Sequence, residues 1–156
     1  GILVSGVAYD KNEAKIAVLG VPDKPGIAAK LLTPLSDAAI SVDMILQNVS
    51  HDGMTDFTFT VTKADLKKAL LITNEAAKEI KAKAVQPDEN ISKVSIVGLG
   101  MRSHAGVATR MFAALAKNSI NIQMISTSEI KISVVVDEKY TELAVRVLHE
   151  EFGLQG

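Results

Sequence analysis

The chain has 156 residues, 47% of them hydrophobic, and its 17 basic and 18 acidic side chains give a formal net charge of −1. That much apolar content supports a sizeable core and excludes a disordered chain, and the balanced charge lacks the basic excess of a nucleic-acid binder. With no cysteine, no Trp and only 4% aromatics, disulfides, thiolate catalysis and thiolate metal sites are excluded, the core must be aliphatic, and a reducing cytoplasm suits the chain.

Gly1 runs straight into Ile2-Leu3-Val4, a start that suits a segment of a longer chain or a processed N-terminus. Residues 3–9 read as a strand with no sequence-adjacent partner. Residues 15–20 form a short apolar strand, followed by the turn Val21-Pro22-Asp23-Lys24-Pro25-Gly26. Ile27, Leu31 and Leu35, with Ala28 and Leu32, make the apolar stripe of an amphipathic helix. Pro34 predicts a kink or early break there. Residues 41–49 alternate as a strand, with Val42, Met44 and Leu46 opposed to Ser41, Asp43 and Ile45. Phe57-Thr58-Phe59-Thr60-Val61 alternates cleanly, as a half-buried antiparallel strand does. His51-Asp52-Gly53 supplies the hairpin turn between them. Leu66, Ala69, Leu70, Thr73, Ala77 and Ile80 mark a helix over residues 64–81. Ala84-Val85-Gln86 reads as an edge strand limited by Pro87, and Asp88-Glu89-Asn90 as a polar boundary. Beyond it the spacing predicts a strand over 93–98, a helix over 107–117, strands over 121–126 and 130–136, and a helix near 140–151. No apolar run approaches the roughly 18 residues that would span a bilayer.

The second half repeats the first. Pro25-Gly26-Ile27-Ala28-Ala29-Lys30-Leu31-Leu32 lies over Ala105-Gly106-Val107-Ala108-Thr109-Arg110-Met111-Phe112. At the same offset Leu35 meets Leu115, Ile40 meets Ile120, Met44 meets Met124 and Ile45 meets Ile125. Two copies of one supersecondary unit follow. The expected fold is α+β: two tandem ferredoxin-like βαββαβ units with antiparallel sheets. The first unit would cover residues 10–88 and the second residues 89–156. The second copy lacks a fourth strand, so the spare strand 2–9 is expected to complete its sheet, with the first unit inserted and the two folding as one body.

Chemistry of the catalytic kind is not visible. His51, His104 and His149 lack ligand spacing, and Gly98-Leu99-Gly100 has Ser103 where a dinucleotide fingerprint needs its third Gly. No phosphate-cradling P-loop sequence occurs. The strand-to-helix turn at Asp23-Lys24-Pro25-Gly26 is the remaining candidate. On these residues alone it reads first as a helix start. The alternative is a cradle for an amino-acid carboxylate, with Asp23, Gln47 and Asn48 as ammonium acceptors.

The stretches Val21-Pro22-Asp23-Lys24-Pro25-Gly26, Asp43-Met44-Ile45-Leu46-Gln47-Asn48-Val49-Ser50, Thr55-Asp56-Phe57-Thr58-Phe59-Thr60, Gly98-Leu99-Gly100-Met101-Arg102-Ser103-His104-Ala105-Gly106-Val107 and Ile125-Ser126-Thr127-Ser128-Glu129-Ile130-Lys131-Ile132-Ser133 closely resemble the C-terminal ACT region, or separate β subunit, of bacterial aspartate kinases. The resemblance covers nearly the whole chain. It implies a non-catalytic, feedback-regulatory segment of an enzyme that phosphorylates aspartate, with ATP and magnesium needed only by the kinase domain. It implies a cytoplasmic homodimer through ACT units, association with the catalytic domain or subunit, and no nucleic-acid or membrane partner. A threonine-type site would use Asp23, Lys24, Gly26, Ile27, Ala28 and Gln47, with Asn121 and Ile122 from the second unit of a partner chain. A second, lysine-type site would use Ser50, Met101, His104, Val107, Ala108, Thr127 and Glu129. That loop departs from the first in having Ala105 in place of Pro25 and no counterpart of Asp23. No metal site is implied. Another ACT sensor, such as an acetolactate synthase small subunit, is the main alternative. A tandem RNA-binding βαββαβ protein and a small ferredoxin-like enzyme are the others; the first would need basic residues around Phe57 and Phe59, the second a clustered acid/base set.

Overall fold

A computed structural model describes residues 4–50, 52–98 and 104–154. In chain order the elements are β1 (Val4–Asp10), β2 (Glu13–Pro22), α1 (Ile27–Asp37), β3 (Ile45–Val49), β4 (Met54–Thr62), α2 (Leu66–Glu79) and β5 (Ala84–Asp88). They continue with β6 (Ile91–Gly98), α3 (His104–Lys117), β7 (Met124–Thr127), β8 (Lys131–Asp137) and α4 (Thr141–Glu151). Two compact units result, one of Asn12–Glu89 and one of Gly1–Lys11 with Asn90–Gly156.

The unit of residues 12–89 has an antiparallel sheet in the order β3-β4-β2-β5. Ile16, Val18, Phe57, Phe59 and Val61 project from it into a core shared with Leu31 and Leu35 of α1 and Ala69 of α2. Each of these side chains larger than alanine contributes roughly 1.5–3 kcal/mol by leaving water. The other unit has the order β1-β6-β8-β7, and β1 pairs antiparallel with β6 from Asp10↔Lys93 to Val4↔Gly98. The N-terminal strand therefore supplies the second sheet's missing member. Val94, Ile96, Ile132 and Val134 of that sheet meet Met111 and Leu115 of α3 and Leu148 of α4.

The duplication extends to backbone detail. Ala39 and Ser119, equivalent residues just past α1 and α3, both turn left-handed, with φ of 58° and 59°. Ile40 N–H donates to Leu35 O, and Ile120 N–H to Leu115 O, so each helix ends the same way. A short 3₁₀ turn precedes α2 and α4. Thr62 Oγ1 accepts from Asp65 N–H at 3.2 Å in one, and Asp137 Oδ1 from Lys139 N–H at 3.0 Å in the other. Near the C-terminus, Arg110 of α3 donates to Glu151 O at 2.5 Å and Glu151 Oε2 at 3.1 Å, and its guanidinium lies 4.8 Å from the Phe152 ring centroid.

Several element bounds differ from the sequence pattern. Pro34 does not stop α1, which runs on to Asp37, because Leu31 and Leu35 on either side are locked in the core at 1% and 0% exposure. Pro87 does not end β5, since β5 pairs with β2 alone and an edge strand leaves one row of N–H groups unused. Residues 41–44 and 121–123 are not strand. Asp43 N–H donates to Thr60 O at 3.1 Å, Thr60 N–H to Met44 O at 3.0 Å and Met44 N–H to the Thr60 hydroxyl at 3.0 Å, while Gln123 N–H donates to Val135 O at 2.8 Å; the ladders start at Ile45 and Met124. The expected start of β1 at Leu3 and the hairpin residue His51 lie outside the described residues.

Candidate functional site

The first unit's turn is built by two left-handed glycines. Gly20, at φ 64°, lies where the register of β2 against β4 shifts between Val18 and Val21. Its N–H donates to Asp56 Oδ1 at 2.8 Å. The chain then leaves β2, and Asp23 N–H donates to Gly53 O of the β3–β4 hairpin at 3.0 Å. Gly26 caps α1 at φ 89° with no side-chain cap hydrogen bond. Ile27 N–H donates to Lys24 O at 3.3 Å and Lys30 N–H to Gly26 O at 3.0 Å. The N–H groups of Ala28 and Ala29 between them find no acceptor among the described residues. They form an open donor pair at the positive end of a helix dipole, suited to a carboxylate.

Gln47 reaches the same end of this sheet on β3. It stands opposite Phe57 of β4, itself opposite Val18 of β2. Directly paired residues share a face, so Ile45, Gln47 and Val49 lie on the helix-facing side. β3 is nonetheless exposed along its whole length, with Ile45 at 55% and Val49 at 57%. Asp23, Lys24, Gly26 and Ala28 are exposed, whereas Ile27 turns its side chain into the core and offers main chain only.

Asn121 and Ile122 belong to the other unit, between α3 and β7. Asn121 is exposed and Ile122 packs partly into that unit's core. Of the second set, Thr127 and Glu129 sit exposed on the β7–β8 hairpin, closed by Ser128 N–H to Lys131 O at 2.8 Å. Val107 is buried in the core of α3 and Ala108 half-buried. Met101 lies outside the described residues, as does the side chain of His104, whose backbone opens α3. Ser50 belongs to the first unit's hairpin. Its hydroxyl donates to Asp52 Oδ1, which also accepts Met54 N–H at 3.1 Å. The Ser50 hydroxyl, then the Met54 amide, hold the fully exposed Asp52 carboxyl below its ordinary pKa.

The residue pattern undervalues the apolar edge. Ile45, Leu46 and Val49 on β3, and Ile125 and Ile130 at β7 and its hairpin, are all large and exposed. The consecutive apolar run Met44-Ile45-Leu46 was the available signal, since a half-buried strand would interpose a polar residue. Among the described residues no three His, Cys, Asp or Glu side chains converge as a metal site, and no helix is long and apolar enough to cross a membrane.

Comparison with known proteins matches the ACT domain twice, at residues 15–78 and 94–152. The aspartate kinase of Pseudomonas fluorescens (strain SBW25) is 63% identical over 152 residues, covering 97% of this chain and 37% of that protein. The chain thus spans little more than a third of the curated relatives it matches. A crystal structure of aspartokinase α and β subunits contains a chain 57% identical, at TM-score 0.91, covering 97% of this chain and 99% of that one. The ligand-free regulatory subunit of aspartate kinase from Thermus thermophilus is 41% identical, at TM-score 0.91, covering 96% and 99%. With the tandem ACT fold and matches of this extent, the chain belongs to the regulatory, ACT-domain region of the aspartate kinase family.

Proposed function

We propose that this chain senses threonine, with lysine as the candidate second effector, at sites completed between chains, and thereby inhibits an attached or associated aspartate kinase. The observation that carries the reading is the open donor pair of Ala28 and Ala29 on the same sheet end as Gln47, beside an exposed apolar strand. The main-chain N–H groups would take the effector carboxylate. Asp23 and the Gln47 amide would meet the ammonium and hydroxyl, and Lys24 would flank the entrance. Asn121 and Ile122 of a second chain would close the site. The lysine-type site would draw on Ser50, Thr127 and Glu129, with the loop from Met101 to Ala108 as its cradle.

In this scheme β3 and β7 are the homodimer edges, and their apolar side chains lose water when chains pair. An effector that binds only the paired form stabilises it by RT ln(1 + [L]/Kd). The same differential affinity biases the kinase toward its inhibited state. The segment would hold no cofactor, ATP and magnesium belonging to the kinase domain, and it would work in the cytoplasm. Titration of Gln47→Ala with threonine tests the site. We expect a folded variant whose affinity falls about tenfold or more, the effect of losing a hydrogen bond to a charged group. Undiminished affinity would move the site elsewhere.

A further inference from the structure

The unit of residues 90–156 holds a cavity of ≈340 Å³ between the exposed end of β1 and the outer face of α4, remote in sequence from the effector loops. Tyr9 and Lys11 form one wall, α4 residues including Glu142, Arg146 and His149 the other, and Val145 and Leu154 the apolar floor. The volume lies in the range of small-molecule sites.

Its chemistry is not a by-product of the fold. The other unit repeats the α4 segment as α2, with Ala69 and Ala144 both fully buried at equivalent places. There the counterparts of Glu142, Arg146 and His149 are Lys67, Leu71 and Asn74, so charge is reversed at one position and removed at another. Glu142, Arg146 and Glu150 lie at spacing four on one helix face, where carboxylates and guanidinium could pair. Among the described residues Arg146 is nevertheless held in no ion pair, and neither is Lys11. Cations and carboxylates thus line one cavity with Arg146 and Lys11 in no direct ion pair, beside Tyr9, which is 59% exposed.

We infer that this cavity between β1 and α4 is a second small-molecule site, for an α-amino acid with an aromatic or large aliphatic side chain. Arg146 and Lys11 receive the carboxylate, Glu142 or Glu150 the ammonium, and Tyr9, Val145 and Leu154 cover the side chain. The inference does not depend on the threonine assignment.

Amide NMR spectra of the 156-residue chain, recorded during titration with L-phenylalanine and L-leucine, test it. N-acetyl-phenylalanine, which lacks the ammonium, and phenethylamine, which lacks the carboxylate, serve as controls. Saturable shifts confined to residues 9–11 and 141–154 are expected. The exposed substitution Arg146→Gln and the double substitution Glu142→Gln with Glu150→Gln should each weaken binding about tenfold while leaving the remaining spectrum unchanged. Absence of saturation, shifts centred instead on residues 23–28, or equal binding of either control would overturn it.

Discussion

Gly20 and Gly26 are both left-handed but are required for different reasons. A Cβ on Gly26 would meet nothing within 4 Å, so only its φ of 89° resists replacement. Gly26→Ala should cost about 1–2 kcal/mol. A Cβ on Gly20 would lie 2.6–2.9 Å from the Lys83 side chain, whose root is fixed by Lys83 N–H to Leu19 O at 2.9 Å. Gly20→Ala should therefore cost about 1 kcal/mol more than the first. Denaturant unfolding of the two variants checks the order, and equal losses would refute the steric argument. At Asp52 the sign is that of a depressed carboxyl: its support for the hairpin is present above the unfolded-state pKa and is lost as pH falls through the folded value. Ser50→Ala should raise the Asp52 pKa in an NMR titration, and an unchanged value would assign the depression to the Met54 and Asp52 amides and the Lys83 charge instead. The Pro-Gly turn was legible in the residues, because only glycine fits its conformation without strain. The unfilled Ala28 and Ala29 donors were not, because a capping side chain is set by three-dimensional proximity.

At the scale of elements, α1 carries the clearest conflict between local preference and packing. Pro34 removes one N–H from the helix, yet buried Leu31 and Leu35 hold the turn closed. Pro34→Ala restores a donor for Lys30 O, a gain of up to about 3 kcal/mol, partly offset by about 0.5–1 kcal/mol of added freedom in the unfolded chain. A net rise in stability of about 1–2 kcal/mol should appear in denaturant unfolding, and a loss would show that the proline ring itself packs usefully. The Ile27-Leu31-Leu35 spacing and the Phe57–Val61 alternation revealed these elements because each buries one face. The beginnings of β3 and β7 were misjudged because residues 41–44 and 121–123 alternate like strands while their bonds fall outside the regular ladder, Met44 N–H going to the Thr60 hydroxyl. Apolar alternation records burial, which an extended connection shares with a paired strand.

For the whole molecule, duplication with insertion was legible because identical core positions recur at a fixed offset, and β1 on β6 follows from counting strands. Self-association is not a periodic property, and the exposure of Ile45, Leu46, Val49, Ile125 and Ile130 is what points to it. The double substitution Ile45→Lys and Val49→Lys should leave each unit folded and shift the chain to monomer by light scattering; a persistent dimer would place the interface elsewhere. If effector sites form between chains, the same variant should also lose threonine binding. Calorimetric titration of the purified chain with threonine and lysine, separately and together while its mass is followed, addresses the sensor reading most directly. We predict saturable threonine binding accompanied by a stabilised dimer, whereas a folded dimer that takes up neither amino acid would contradict the account.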